Sequence, residues 1–261
     1  MKRFYVVGDN VAKSLSPTIF KYWFRKYKIK AQYSYLEINK KDFERKIDKI
    51  LKTKDLGGLN ITIPFKKKIM KHLNKFDEHS RIIKAVNCVS IKPKKIGINT
   101  DWEGYYKSLP KIKDLKKRKT LIIGYGGAAL AVHYVLLKKG FKNIVVVNRS
   151  KKKLQFIKKT TFTKSLTALD KHLKTADFII NTTPKNLIKK TRISFVSPRA
   201  LISDLVYSPK ETDFLKQFPN NKKVYGIDML IQQAIPCFKT WFGFKPSIDS
   251  GLEGILNKKI I

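Results

Sequence analysis

Three polar residues, Lys66, Asn87 and Asp101, each close a short segment that could deliver a functional group to the end of a strand. The segments are Asn60-Ile61-Thr62-Ile63-Pro64-Phe65-Lys66, Ala85-Val86-Asn87 and Asn99-Thr100-Asp101, and in the first of them Asn60 and Thr62 also break an otherwise apolar run. Polar side chains at the carboxyl ends of parallel strands point into the crevice where open α/β sheets bind ligands. An amine, an amide and a carboxylate gathered there could meet around a polyhydroxylated ring. On spacing alone Lys66 is one lysine in the run Lys66-Lys67-Lys68, and its claim rests on following Thr62-Ile63-Pro64-Phe65 directly. Upstream, Ser14-Leu15-Ser16-Pro17 sets two hydroxyls on alternating positions before a helix that Pro17 can begin. Ser16 reads equally well as the N-cap of that helix.

A second constellation relies on backbone. Leu121-Ile122-Ile123-Gly124-Tyr125-Gly126-Gly127-Ala128-Ala129 is an apolar strand running into G-x-G-x-x-A and then a helix, the context a dinucleotide turn requires. Gly124 can make the tight turn, Gly126 lets a pyrophosphate approach, and Ala129 takes the third glycine's place. Tyr125, Gly127 and Ala128 complete the turn, whose helix start offers N–H groups and partial positive charge to phosphate. The next strand ends at Val147-Asn148-Arg149-Ser150. An NAD-binding strand would normally place an acidic residue there for the ribose hydroxyls. Arg149, with Asn148, Ser150 and Lys153 around it, instead supplies a planar donor and positive charge for a 2′-phosphate, which favours NADP. Lys151 and Lys152 read as ordinary solvated helix residues.

The elements that must position these groups follow from periodicity. Strand Arg3–Gly8, helix Thr18–Tyr27, strand Gln32–Glu37, helix Lys41–Lys52, strand Gly57–Ile61, a helix after Pro64 and strand Val86–Ile91 form one β-α series ending near Asp101. A second series begins after the lysine-rich connector Lys111–Lys119. It comprises strand Thr120–Ile123, helix Ala128–Lys139 stopped by Gly140, strand Asn143–Val147, helix Lys151–Lys158, and strands Asp177–Asn181 and Ala200–Asp204. Helices Asp228–Phe242 and Ile248–Asn257 follow, with no strand of their own. The expected fold is therefore two α/β domains, residues 1–101 plus about 240–261 and residues 102–239, the second a parallel doubly wound sheet. The C-terminal helix is expected to pack back on the first domain.

Bulk composition narrows the classes. The chain has 261 residues, 43% of them apolar, which is enough to bury substantial cores and argues against disorder. No stretch has the roughly 20 apolar residues of a membrane span, and the start is too quickly polar for a signal peptide, so a cytoplasmic protein without a membrane partner is expected. Cys88 and Cys237 read as buried reduced side chains, and four scattered histidines give no metal-ligand spacing. The formal charge of +38 would by itself suggest nucleic acid. Its lysines, however, are spread from Lys2 to Lys259 rather than gathered into one basic stripe, so a solvated surface is expected and no nucleic-acid partner. Such a field draws small anions toward any cleft.

Taken in order, Ser-x-Ser-Pro, N-I-T-I-P-x-K, A-V-N, N-T-D, G-Y-G-G-A, N-R-S and Gly226-Ile227-Asp228-Met229-Leu230 with Gln233-Ala234 resemble the shikimate dehydrogenase family across essentially the whole chain. The resemblance implies an N-terminal substrate domain, a Rossmann-type NADP domain, and reversible reduction of 3-dehydroshikimate to shikimate by NADPH on the route to aromatic amino acids. It implies that Ser14 and Ser16 hold the substrate carboxylate with help from Tyr207, and that Asn60, Thr62, Asn87, Asp101 and Gln233 line the ring. Lys66 would move the proton with Asp101 as its partner, and Thr182, Leu205, Gly226 and Met229 would contact the nicotinamide. A monomer or homodimer is expected. The chain departs from the family's habit at Lys84, Cys88, Trp102 and Glu103, beside the expected site, without removing a functional group. Alternatives are a quinate/shikimate dehydrogenase using NAD, a paralogue with another ring substrate, a non-catalytic NADP sensor, or a nucleic-acid-binding protein on a retired enzyme fold.

Overall fold

The structure is a computed structural model and describes residues 1–91, 94–148, 161–165, 168–184, 186–188 and 190–260. It divides into two compact units, Met1–Asp101 with Gln233–Lys259, and Trp102–Gln232 with Ile260–Ile261. The C-terminal return thus begins at Gln233, earlier than the expected position near 240.

The first unit opens with β1 (Lys2–Gly8), α1 (Ser16–Lys26), β2 (Ala31–Glu37), α2 (Phe43–Leu51) and β3 (Leu56–Ile61). These three strands are parallel, with β1 central. Helix α1 buries Ser16, Pro17, Ile19, Phe20, Trp23 and Phe24, a stripe with helical spacing, while Arg25 and Lys26 face the negative end of its dipole. Helix α2 buries Phe43, Ile47 and Leu51, one residue per turn. Beyond β3 the expected alternation stops. The stretch after Pro64 forms only a 3₁₀ turn, Lys68–His72, before the short α3 (Glu78–Ile83). Asp77 caps α3 by accepting from the Ser80 amide at 2.9 Å. Lys84 ends it in the left-handed region at φ 54°, where glycine is the less strained choice.

Strand β4 spans only Cys88–Ser90 and pairs antiparallel with β3 and with β5 (Ile96–Ile98), a strand that periodicity did not reveal. The expected strand Val86–Ile91 is therefore too long. The few residues between β4 and β5 permit only a hairpin, because a parallel crossover needs a dozen or more. The first sheet has the order β2-β1-β3-β4-β5. Helix α4 (Asp101–Ser108) begins at its end.

The second unit contains β6 (Thr120–Ile123), α5 (Gly127–Lys138), β7 (Ile144–Asn148), β8 (Thr161–Ser165), α6 (Leu169–Leu173), β9 (Phe178–Asn181), β10 (Leu201–Asp204) and β11 (Lys223–Val224). All six strands are parallel, in the order β11-β10-β9-β6-β7-β8. The expected doubly wound sheet is present. Strands β8 and β11 were not anticipated, the one because Thr161-Phe-Thr-Lys-Ser165 is mostly polar and the other because it is two residues long. The expected helix Lys151–Lys158 lies outside the described residues. Buried Leu121, Ile123, Val147, Ile179, Ile202, Phe214 and Phe218 belong to a continuous apolar core on this sheet.

Helix α7 (Gly226–Phe242) and α8 (Ser250–Asn257) complete the chain. Within the first unit, Phe238, Trp241 and Phe242 close an aromatic core with Phe4, Phe20, Trp23 and Phe24. The Trp23 indole donates to the Ser247 carbonyl at 3.0 Å and that of Trp241 to the Val89 carbonyl at 3.1 Å, so the buried Trp23 and the half-buried Trp241 both have their N–H groups satisfied. The C-terminal segment packs back on the first unit as expected. Among the described residues, no helix is long and apolar enough to cross a membrane.

Candidate active site

In the first unit the hairpin of β4 and β5 brings Asn87 beside Asn99, Thr100 and Asp101. The Asn87 amide N–H donates to the Ile98 carbonyl at 3.1 Å, and the Thr100 amide donates to Asn87 Oδ1 at 2.7 Å. Asn87 Nδ2 lies 2.9 Å from Asp101 Oδ1, 2.8 Å from Thr100 Oγ1 and 3.1 Å from Gln233 Oε1. Its two hydrogens are thus shared among three acceptors. Lys66 reaches the same place because the Val86 amide donates to its carbonyl at 2.8 Å, fixing the chain just past Pro64 against the start of β4. Its Nζ then stands 2.6 Å from Asp101 Oδ2.

The pair is largely buried, with side-chain exposures of 11% for Lys66 and 4% for Asp101. Charges taken this far out of water are kept only when they are paired and hydrogen-bonded. The Asp101 carboxylate meets both conditions through Lys66 and Asn87, and its backbone amide donates separately to Asn99 Oδ1 at 3.1 Å. Lys66 spends one of three ammonium hydrogens on Asp101, and among the described residues no other acceptor is bonded to it. An ammonium held so can donate a proton to an oxygen placed beside it, and the neutral amine that remains can take one back.

Asn60, at the end of β3, joins the cluster from behind. It accepts from the Tyr33 hydroxyl at 2.7 Å and donates to the Asn87 carbonyl and to Cys237 Sγ, both at 3.2 Å. Thr100 Oγ1 also lies 3.2 Å from Cys237 Sγ. Both cysteines are free and buried, and burial pushes the Cys88 thiol well above its ordinary value. The structure therefore brings Lys66, Asn60, Asn87, Asp101 and Gln233 into one bonded set. Ser14, Ser16 and Thr62 stand outside it among the described residues. Ser14 Oγ accepts from the Ser16 amide at 3.3 Å, and the Thr62 amide donates to the Val7 carbonyl at 2.9 Å. Ser16 is the first helical residue rather than a cap, and Leu15 at the cap position offers no side-chain bond.

In the second unit the expected cofactor residues share one edge of the sheet. Gly124 follows β6, Thr182 follows β9, Leu205 follows β10, Asn148 ends β7 and Gly226 follows shortly after β11. The strands β9 and β6 lie side by side although far apart in order, which marks the switch point where open sheets bind ligands. Gly124 takes φ +95°, and a side chain there would meet Thr182 Oγ1 at 2.8 Å and Thr183 Cγ2 at 2.5 Å. Gly126 is the N-cap of α5, is exposed, and has open space where a side chain would be. Gly127 and Ala128 begin the helix, and Ala129 is fully buried where helix meets strand. The first N–H groups of a helix suit a pyrophosphate.

Tyr125 is spent otherwise. Its buried hydroxyl lies 2.9 Å from His133 Nδ1 on α5, so what it can offer a nucleotide is backbone. Burial holds His133 down to about 4, hence neutral. Met229 is buried on α7 and Tyr207 is half-buried in the loop after β10. Arg149, Ser150 and Lys153 lie outside the described residues. Among the described residues, no group of three His, Cys, Asp or Glu side chains could hold a metal ion.

Comparison with known proteins agrees with both halves. Residues 6–89 match the family model described as shikimate dehydrogenase substrate binding domain, and residues 107–232 match that described as shikimate / quinate 5-dehydrogenase. The chain belongs to the shikimate dehydrogenase family. Relatives named shikimate dehydrogenase (NADP(+)) from Pelagibacter ubique and Staphylococcus haemolyticus are 36% and 33% identical, each over 98% of this chain and over 99% and 98% of their own. The solved shikimate dehydrogenase 1 of Peptoclostridium difficile superposes with a TM-score of 0.85 at 30% identity, covering 100% of this chain and 98% of that one. The two-domain α/β architecture is that of this family.

Three participants escaped the sequence reading. Thr100 was visible only as the middle of N-T-D, although a threonine between two polar strand-end residues is a signal that could have been used. Tyr33 sits in the expected strand Gln32–Glu37, to which no functional residue was assigned. Cys237 read as an inert buried thiol, and nothing in its neighbourhood of sequence shows that it faces Asn60 and Thr100.

Proposed function

We propose that this chain catalyses the reversible reduction of 3-dehydroshikimate to shikimate, with NADPH as reductant. The observation that carries the reading is the buried Lys66–Asp101 pair held by Asn87, an amine bonded to a carboxylate among groups suited to a hydroxylated ring. In this reading the first unit binds the substrate and the second the dinucleotide.

NADPH, when bound, supplies the hydride. Charge that develops on the carbonyl oxygen is stabilised by the Lys66 ammonium more in the transition state than in the ground state. Lys66 then gives its proton to that oxygen, and in the reverse direction removes it from the hydroxyl. Asp101 keeps the ammonium oriented. Asn60, Thr62, Asn87 and Gln233 accept from and donate to the ring hydroxyls, and Ser14 with Ser16 bind the carboxylate. On the second unit the Gly124–Ala128 turn takes the pyrophosphate, Arg149 with Asn148, Ser150 and Lys153 the 2′-phosphate, and Thr182, Leu205, Gly226 and Met229 the nicotinamide.

Initial rates with shikimate and with quinate, each against NADP and NAD, test the reading. Shikimate with NADP should give the highest kcat/KM. Comparable rates with quinate would make this a dual-substrate enzyme. No NADPH formation from shikimate would remove the assignment.

A further inference from the structure

Asp204 is a buried carboxylate, 1% exposed, that the proposed chemistry does not use. It ends β10, and among the described residues no cation forms a salt bridge with it. Instead it gathers donors from three stretches of chain. Asn181 Nδ2, from the end of β9, reaches its Oδ1 at 3.0 Å; the Val206 amide reaches the same oxygen at 3.0 Å; and Thr212 Oγ1 donates to Oδ2 at 2.6 Å. Thr212 Oγ1 in turn accepts from the Leu215 amide at 3.2 Å. Burial raises the Asp204 carboxyl above its ordinary value, and these donors oppose that rise.

One carboxylate thus closes residues 205–212 into a loop tied at both ends. On its other side the same loop start is met by α7. A side chain at Gly226 would lie 2.5 Å from the Val206 carbonyl oxygen and 2.6 Å from that of Leu205, so only glycine lets the helix come this near. The Leu205–Val206 peptide is therefore clamped between a charge-assisted hydrogen-bond knot and the start of the helix that carries Met229.

We propose that Asp204, acting with Thr212 and Asn181, is a positioning residue that presets Leu205 and Gly226 as the nicotinamide side of the dinucleotide site. The proposal rests on the assignment of Leu205, Gly226 and Met229 to the nicotinamide. Bonds to a charged acceptor are the strong ones, so the Thr212 hydroxyl is the member to remove.

The test compares T212V, which keeps shape and loses the hydroxyl, with T212S, which keeps the hydroxyl. Nicotinamide fluorescence of NADPH bound to the full chain is read together with kcat for shikimate oxidation. T212V should lower kcat about tenfold and return the fluorescence of bound NADPH toward that of the free nucleotide, while T212S stays within about twofold of the parent. Should valine not be accommodated, Thr212→Ala carries the same expectation. Parental fluorescence and kcat in T212V, or equal impairment in T212S and T212V, would overturn the proposal. A parent chain that binds NADPH with altered fluorescence but does not oxidise shikimate would overturn the substrate assignment and leave the fluorescence comparison to decide this one. A parent that binds no NADPH would overturn both.

Discussion

Around Asn87 the first unit satisfies buried polar groups with side chains: an amide, a hydroxyl, a carboxylate, an ammonium and a thiol bond one another at strand ends. At Gly124–Gly127 the second unit does the reverse, presenting backbone N–H groups and open space, and turning its one large side chain, Tyr125, away to His133. In the proposed reading the difference follows from what each must recognise. A ring with several hydroxyls calls for directional donors and acceptors held rigidly, whereas a pyrophosphate is met by peptide dipoles that any sequence supplies once the turn is made. Side-chain sites should therefore fail sharply when one group is removed, and backbone sites should depend on turn geometry and on the few side chains that set it.

The strongest break in that comparison would come from Lys66→Ala. We expect kcat to fall about 10²- to 10⁴-fold with a modest change in KM for shikimate, read from initial rates. A near-normal kcat would take Lys66 out of the chemistry and leave the first unit's cluster a structural one.

Next in size is the anchor of the glycine turn. Because His133 is held down to about 4, the folded chain excludes a proton that the unfolded chain binds below the ordinary value of 6.5. Its stability contribution is complete above that pH and is lost as the pH falls toward 4, by roughly 2 to 3 kcal/mol. Urea unfolding at neutral and mildly acid pH should show a steeper loss in the parent than in His133→Gln. Equal losses would mean that burial does not hold the His133 imidazole neutral in the folded chain.

Arg149→Ala should lower the NADPH-over-NADH preference in kcat/KM by roughly 10- to 100-fold, the worth of a charge-assisted bond to phosphate. An unchanged ratio would transfer cofactor selection to backbone alone. The smallest effect is expected from Cys237→Ala, which removes the sulfur bonded to Asn60 and Thr100. Thermal unfolding should register a loss of about 1 kcal/mol, with kcat within about threefold of the parent. A large kcat defect would make the thiol more than a partner of Asn60.

Legibility in the sequence divides along similar lines. The Gly124 turn, its strand and its helix are local, so three glycines or their substitutes within a few residues declare them. Lys66, Asn87 and Asp101 were nameable as strand-end polar residues, yet only a long-range arrangement, the β4–β5 hairpin and the Val86 bond to the Lys66 carbonyl, makes them neighbours. That hairpin was missed because three-residue strands leave no alternation to read. Tyr33 and Cys237 were invisible for another reason. The polar atom of each finds Asn60 only across a long stretch of chain, 27 and 177 residues respectively.

The aromatic core of the first unit is completed by Phe238, Trp241 and Phe242, which the ribosome delivers only after residues 102–232 of the second. At about 5 to 20 residues per second, residues 1–101 spend on the order of ten seconds with Phe4, Phe20 and Trp23 missing these ring partners. The N-terminal part of this chain is thus made first and finished last, and the nascent polypeptide carries a sticky face through much of its synthesis.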